Sequence, residues 1–185
     1  MNIQSLKIIS LLPSATEIVY LLGLGKHLVG RSHDSNYPKS ATGKPVISDT
    51  IIPEGLTSKE IDTAVKKSLH RGRGLYHIDP VLLKKLKPNL VLTQELCDVC
   101  AINFSQVKEA VRIFDGEPTL LSLEPESIDD VLNNILEVGK YTGRVVKSRL
   151  EVKNLKKILA GVKRKLSTVN HQSSVIIVEW LDRIM

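Results

Sequence analysis

The sequence predicts an α/β fold in which a parallel sheet is flanked by helices, and three observations carry that reading. Short, predominantly apolar runs at Lys7–Leu12, Leu28–Gly30, Leu90–Thr93 and Thr119–Leu123 have strand length and little polar alternation, as expected of strands covered on both faces. Segments with helical spacing and capping residues stand between them, so strand and helix alternate along the chain. With 185 residues, 42% of them apolar and 25% charged, the chain can bury one α/β core.

The elements follow in order. Lys7–Leu12 is the first strand, and Pro13-Ser14-Ala15-Thr16-Glu17 opens a helix in which Ser14 and Glu17 have capping-box spacing. Gly23-Leu24-Gly25 ends that helix before the second strand. A polar loop, Arg31–Pro38, leads into a looser stretch at 39–57 with two prolines, Pro45 and Pro53. Thr57 and Glu60 repeat the capping-box pattern ahead of Ile61, Ala64, Val65 and Leu69, and Arg71–Gly74 breaks that helix. Asp79-Pro80 caps a short helix through Leu86, and Pro88-Asn89 turns into the third strand. A helix at Ser105–Val111, a strand at Thr119–Leu123 and a Ser127-capped helix to Val138 follow. From about 144 to 168 the apolar residues Val145, Val152, Leu155, Leu159, Val162 and Leu166 form a heptad seam on one long helix. His171–Ser174 is polar, and Val175–Trp180 reads as a new apolar strand.

Net charge is +6, and its distribution decides what it means. Residues 144–166 carry nine Lys/Arg against a single acid, Glu151, leaving seventeen basic and nineteen acidic residues elsewhere. The excess is thus one helix, without the glycine or aromatic interleaving of single-strand binders, which argues against nucleic acid as a partner. A solvated helical face is the first reading and an acidic or phosphate surface the second. The opening residues lack a signal-peptide pattern: one Lys precedes only five apolar-leaning residues, then Pro13, Ser14 and Glu17. A cytoplasmic location is expected for the chain as written, unless its true start lies upstream.

Several segments, taken together in order, resemble the cobalamin-type substrate-binding proteins of ABC importers, in the helical-backbone periplasmic-binding-protein class shared with siderophore and haem receptors. They are Ile9–Glu17, Leu22–Gly25, Leu28–Gly30, Tyr37-Pro38, Leu86–Gln94, Leu121–Pro125 and Val175–Asp182. The resemblance implies two Rossmann-like α/β lobes joined by one long helix, with a chelate ligand clamped between them. On that pattern residues 1–143 are the N-terminal lobe, 144–168 the connecting helix and 174–185 the start of a truncated C-terminal lobe. It also implies docking onto ABC permease subunits through surface acids. Val81 occupies the slot where the family's acid is expected, leaving Glu54 or Glu60 as substitutes.

Ligands of open α/β sheets sit at the C-terminal ends of the strands, which places Pro13–Thr16, His33–Tyr37 and Gln94–Cys100 on one rim. Ser14, Thr16, His33, Tyr37, Gln94 and Glu95 are therefore the candidate ligand-binding residues. Tyr37 matches a family cleft tyrosine, and its ring suits stacking on a flat macrocycle. Ser14 has an equally good account as a helix cap, and Tyr37 one as a loop residue packed beneath Pro38. The pair Cys97 and Cys100 reads as a buried structural pair, a redox couple, or a metal-ligand pair assisted by His33 and Asp98. Relatives often carry a cysteine where this chain has Ser35, which weakens the metal reading. His27, His70, His77 and His171 read as surface residues.

Two function classes remain. One is a receptor for cobalamin or a related corrinoid or iron chelate, non-catalytic and requiring no cofactor, with self-association through the exposed 144–168 seam. The other is a redox or metal-dependent enzyme built on Cys97, Cys100 and His33. The sequence lacks a glycine-rich phosphate loop, a helical metal-binding His pair and a nucleophile elbow, which disfavours the second. A non-functional or assembly-only fragment is a third reading, motivated by the missing second lobe and the missing signal peptide.

Overall fold

The computed structural model describes residues 3–70, 75–94 and 118–166. The helix expected at Ser105–Val111, the strand at Val175–Trp180, the opening of a second lobe at 174–185, and Glu95, Cys97 and Cys100 lie outside the described residues.

Each expected strand in the described part forms. β1 (Ile8–Ser10), β2 (Leu28–Arg31), β5 (Leu90–Thr93) and β6 (Thr119–Ser122) make a four-stranded parallel sheet in the order β2-β1-β5-β6. Successive residues of these strands feed opposite faces. Ile8, Leu90, Leu92 and Leu121 enter one buried cluster with α1 (Pro13–Leu21), α4 (Ile128–Tyr141) and α5 (Val145–Leu166). Ile9, Val91 and Leu120 enter a second with α3 (Pro80–Leu86) and Ile47. Burial on both faces is why these runs lack polar alternation.

Helix boundaries follow local chemistry, with one correction. Ser14 and Glu17 do not form a capping box. Pro13 takes the first helical position, where its missing N–H costs nothing, and this moves the cap back to Leu12, which has no polar side chain to offer. The other three caps form. Thr57 and Glu60 exchange hydrogen bonds at the start of α2 (Ser58–His70), with Thr57 N–H donating to Glu60 Oε2 at 2.8 Å. Asp79 accepts from the N–H groups of Val81 and Leu82, and Ser127 from that of Asp130. At the end of α1, Gly23 adopts a left-handed conformation (φ 71°), letting its own N–H reach Tyr20 O and that of Leu24 reach Val19 O.

The stretch at 39–57 is more ordered than its composition suggests. β3 (Ser48–Thr50) pairs antiparallel with β4 (Tyr76–Ile78) as a two-stranded ribbon beside the second cluster. His27, expected at the surface, is buried, because the turn into β2 tucks its ring beneath the chain start, where Nδ1 meets Leu6 O at 3.1 Å. His70 and His77 are exposed as expected.

α4 and α5 form an antiparallel hairpin closed by a tight approach. A Cβ at Gly139 would collide with Ser148, which is itself buried. α5 runs unbroken to Leu166, but its heptad seam is covered unevenly. Val152 is buried and Leu155 partly so, whereas Leu159, Val162 and Leu166 are exposed, the last by 64%.

Candidate ligand-binding site

The strand order reverses direction at β1, which has β2 on one side and β5 on the other. Between strands whose connections leave in opposite senses, a crevice opens at the carboxyl edge. A cleft of about 300 Å³ lies there. Its walls are Leu11–Ser14 after β1, Ser32–Asp34 after β2 and Gln94 after β5, closed by Ser48 and Tyr76 of the ribbon.

The cleft is built around His33. Its Nε2 lies 3.1 Å from Asp34 Oδ2, and its Nδ1 lies 3.4 Å from Ser48 Oγ. Tyr76 flanks the imidazole, with ring centroids 5.6 Å apart. Burial, and after it the Asp34 carboxylate, hold the Tyr76 phenol above its usual range, so it stays a neutral hydroxyl that can donate or accept. The arrangement offers an imidazole, a carboxylate, several hydroxyls and an amide. It can orient a polar ligand group by hydrogen bonds.

The loop carrying His33 is held from below. Thr16 is fully buried, and its hydroxyl lies 2.9 Å from both Ser10 Oγ and Ser35 Oγ. Ser35 Oγ meets Ser32 Oγ at 2.7 Å, and Ser10 donates to Leu12 O at 2.9 Å. Arg31 braces the same loop, its guanidinium donating to Ser32 O and His33 O at 2.9 and 3.1 Å.

A second, larger groove of about 530 Å³ adjoins the first. Tyr37 and Pro38, joined by a cis peptide bond, form one side, and Ile18, Tyr20 and Leu21 of α1 another. Val131 and Ile135 of α4 and Leu155 of α5 complete the lining, which is mainly apolar. Tyr37 is 65% exposed.

The expected site residues therefore separate. His33 and Gln94 face the polar cleft, Tyr37 faces the apolar groove, and Ser14 lines both. Thr16 lines neither, and its hydroxyl is taken up in supporting the loop. Ser48, Tyr76 and Arg31 escaped the sequence reading. Ser48 and Tyr76 reach the cleft through a ribbon whose strands are 25 residues apart, and Arg31 looked like one loop residue among others. Among the described residues there is no cluster of three His, Cys, Asp or Glu suited to a metal ion. No described helix is long and apolar enough to cross a membrane.

No family model matches the chain. It is 30% identical over 165 residues to the uncharacterized ABC transporter substrate-binding lipoprotein YvrC of Bacillus subtilis, covering 89% of the chain and 43% of that protein. It is 28% identical over 162 residues to the vitamin B12-binding protein of Vibrio parahaemolyticus, covering 88% and 47%. In structure it resembles the periplasmic heme-binding protein RhuT of Roseiflexus sp. RS-1, with a TM-score of 0.64 and 20% identity, over 90% of the chain and 52% of that one. The chain thus spans about half the length of the curated relatives it matches. Parallel sheet and flanking helices agree with these likenesses: the chain is similar in sequence to an ABC-transporter substrate-binding lipoprotein and to a vitamin B12-binding protein, and it shares the fold of a periplasmic heme-binding protein.

Proposed function

We propose that the chain supplies one wall of the ligand cleft in the substrate-binding component of an ABC importer, and that its ligand is cobalamin or a related corrinoid or iron chelate. The observation that carries this reading is the junction at Ser14, where a polar cleft with His33 and Tyr76 meets an apolar groove with Tyr37. A metallo-macrocycle has both characters, a broad apolar ring and polar substituents at its edge. Tyr37 would stack on the ring, while Ser14, His33 and Gln94 would take the edge groups. Residues 1–143 act as the ligand-facing lobe, 144–168 as the spine, and 174–185 as the opening of a second lobe. The function is capture and delivery to ABC permease subunits. It involves no catalysis, no cofactor beyond the transported chelate, and no nucleic acid. No observation favours the enzyme reading built on Cys97 and Cys100. The cytoplasmic location expected from the first residues also lacks support, since the relatives are described as a lipoprotein and as periplasmic proteins. We place the activity at the outer face of a membrane.

Titrating the chain with cyanocobalamin and with haem, following their visible bands and the heat of binding, tests the reading. A ligand gripped from one side leaves roughly 150 Å² of apolar surface in water, worth about 4 kcal/mol or a thousandfold in affinity. Binding weaker than micromolar is therefore expected. Tyr37→Ala should weaken it about tenfold further while leaving the melting temperature unchanged, because the ring is mostly exposed. Absence of any band shift with either chelate would remove the ligand class. A shift indifferent to both Tyr37→Ala and His33→Ala would remove the site.

A further inference from the structure

On α5 two ladders of side chains meet at Lys153, which belongs to both. Arg149, Lys153, Lys156 and Ala160 follow at i, i+4, i+7 and i+11, and Val146, Leu150, Lys153 and Lys157 follow at the same intervals next to them. Arg149, Lys153, Lys156 and Lys157 line an open groove of about 510 Å³, together with the apolar Leu136, Val152 and Ala160. Among the described residues none of these four cations is ion-paired. The one acid of the helix, Glu151, is engaged by Lys147, two positions before Arg149 and on another side of the helix. Val146 is 84% exposed and Leu150 half exposed, so apolar side chains stand among the cations without cover.

We propose that this flank of α5 docks on the anionic headgroups of a lipid bilayer. Three of the four cations are lysines, point charges on long apolar stems. These answer a diffuse negative potential better than the paired acceptors of a folded acidic partner, which favour arginine. Lysine stems can also lie along apolar surface while their ammonium groups reach phosphate, and Val146 and Leu150 provide that surface. A nucleic acid fits less well, because α5 has no aromatic residue on which a base could stack. The ladder from Val146 to Lys157 is about 16 Å long, enough to lie flat on a membrane rather than touch it at a point. The inference rests on the proposed placement of the protein at a membrane face, and it adds a contact that would hold the lobe in a fixed attitude to the bilayer.

The test is co-sedimentation of the 185-residue chain with phosphatidylcholine vesicles and with vesicles in which part of the lipid is phosphatidylglycerol. Binding is expected to the anionic vesicles alone and to fall as salt is raised. Each cation at such a surface contributes about fivefold, so Lys153→Gln with Lys157→Gln should weaken binding roughly thirtyfold. Lys84→Gln with Lys85→Gln makes the same change in net charge on exposed positions of α3 and should leave binding unchanged. Circular dichroism on each variant separates lost binding from lost fold. Equal binding to neutral vesicles, an equal loss in the α3 variant, or no anionic binding by the unaltered chain would each overturn the proposal. Chelate titration involves no lipid, so the ligand reading and the membrane reading can fail separately.

Discussion

At the rim of the sheet, Ser10, Thr16, Ser32 and Ser35 are buried and satisfy one another's hydroxyls. In the second half of α5, Ile158, Leu159, Val162 and Leu166 are apolar and lie in solvent. The first region puts polar groups where water is absent, and the second puts apolar groups where water is present. Buried hydroxyls are tolerable only when each has a partner, so the rim must hold one geometry. These four apolar side chains of the far half of α5 are exposed to water. One region carries its own specification, while the other presents a surface that packing within the lobe leaves open.

The largest expected effect falls on the rim. Thr16→Val keeps the volume but leaves Ser10 and Ser35 without the hydroxyl between them, at a cost of about 3 kcal/mol. Thr16→Ser should recover most of it. Urea denaturation of both variants checks this, and equal stabilities for Val and Ser would show that the cluster is not cooperative. Next in size is a contrast within the seam of α5. Val152→Ala should cost about 2 kcal/mol, because Val152 is 7% exposed against α4. Leu166→Ala should stay within about 0.5 kcal/mol, although it removes more carbon. A comparable loss from Leu166→Ala would mean that its surface is covered in solution, by another copy or by another part of the protein.

The smallest effect concerns an exposed cap. The Thr57 backbone N–H, and then its hydroxyl, hold the Glu60 carboxyl below its ordinary range. A group whose folded pKa is depressed contributes its stability fully above the unfolded value and loses it as pH falls through the folded one. The difference in melting temperature between the unaltered chain and Glu60→Gln should therefore be constant near neutral pH and close under acid conditions. A gap that widens on acidification would reverse the assignment.

Local chemistry was legible in the sequence, and long-range placement was less so. β1, β2, β5 and β6 could be read because burial on two faces leaves an unbroken apolar run, and Thr57, Asp79 and Ser127 because a cap acts within three residues. The β3–β4 ribbon was hidden, since three-residue strands 25 residues apart carry no periodicity of their own. Ser14 was misread as a cap because proline at the first helical position shifts the frame by two residues. The heptad spacing of α5 revealed an apolar seam, but spacing cannot say which half finds a neighbour. That His33 and Gln94 line the cleft and Tyr37 the groove was legible from the loops that follow the strands. Tyr76 was not, because it reaches His33 only through the ribbon.

Leu155 gives the apolar groove a wall that belongs to the longest of the described helices. α5 is clasped by α4 near Gly139 and Ser148, and beyond Leu155 its side chains meet solvent. Mechanically this is a lever held near Gly139 with a load applied close to the hold. From Leu155 to Leu166 the helix measures about 16 Å, so a tilt of about 5° at the groove would carry Leu166 through about 1.5 Å. Whatever presses on the ring of Tyr37 from the groove therefore presses on Leu155 as well, and the displacement grows toward Leu166, the end farthest from the ligand.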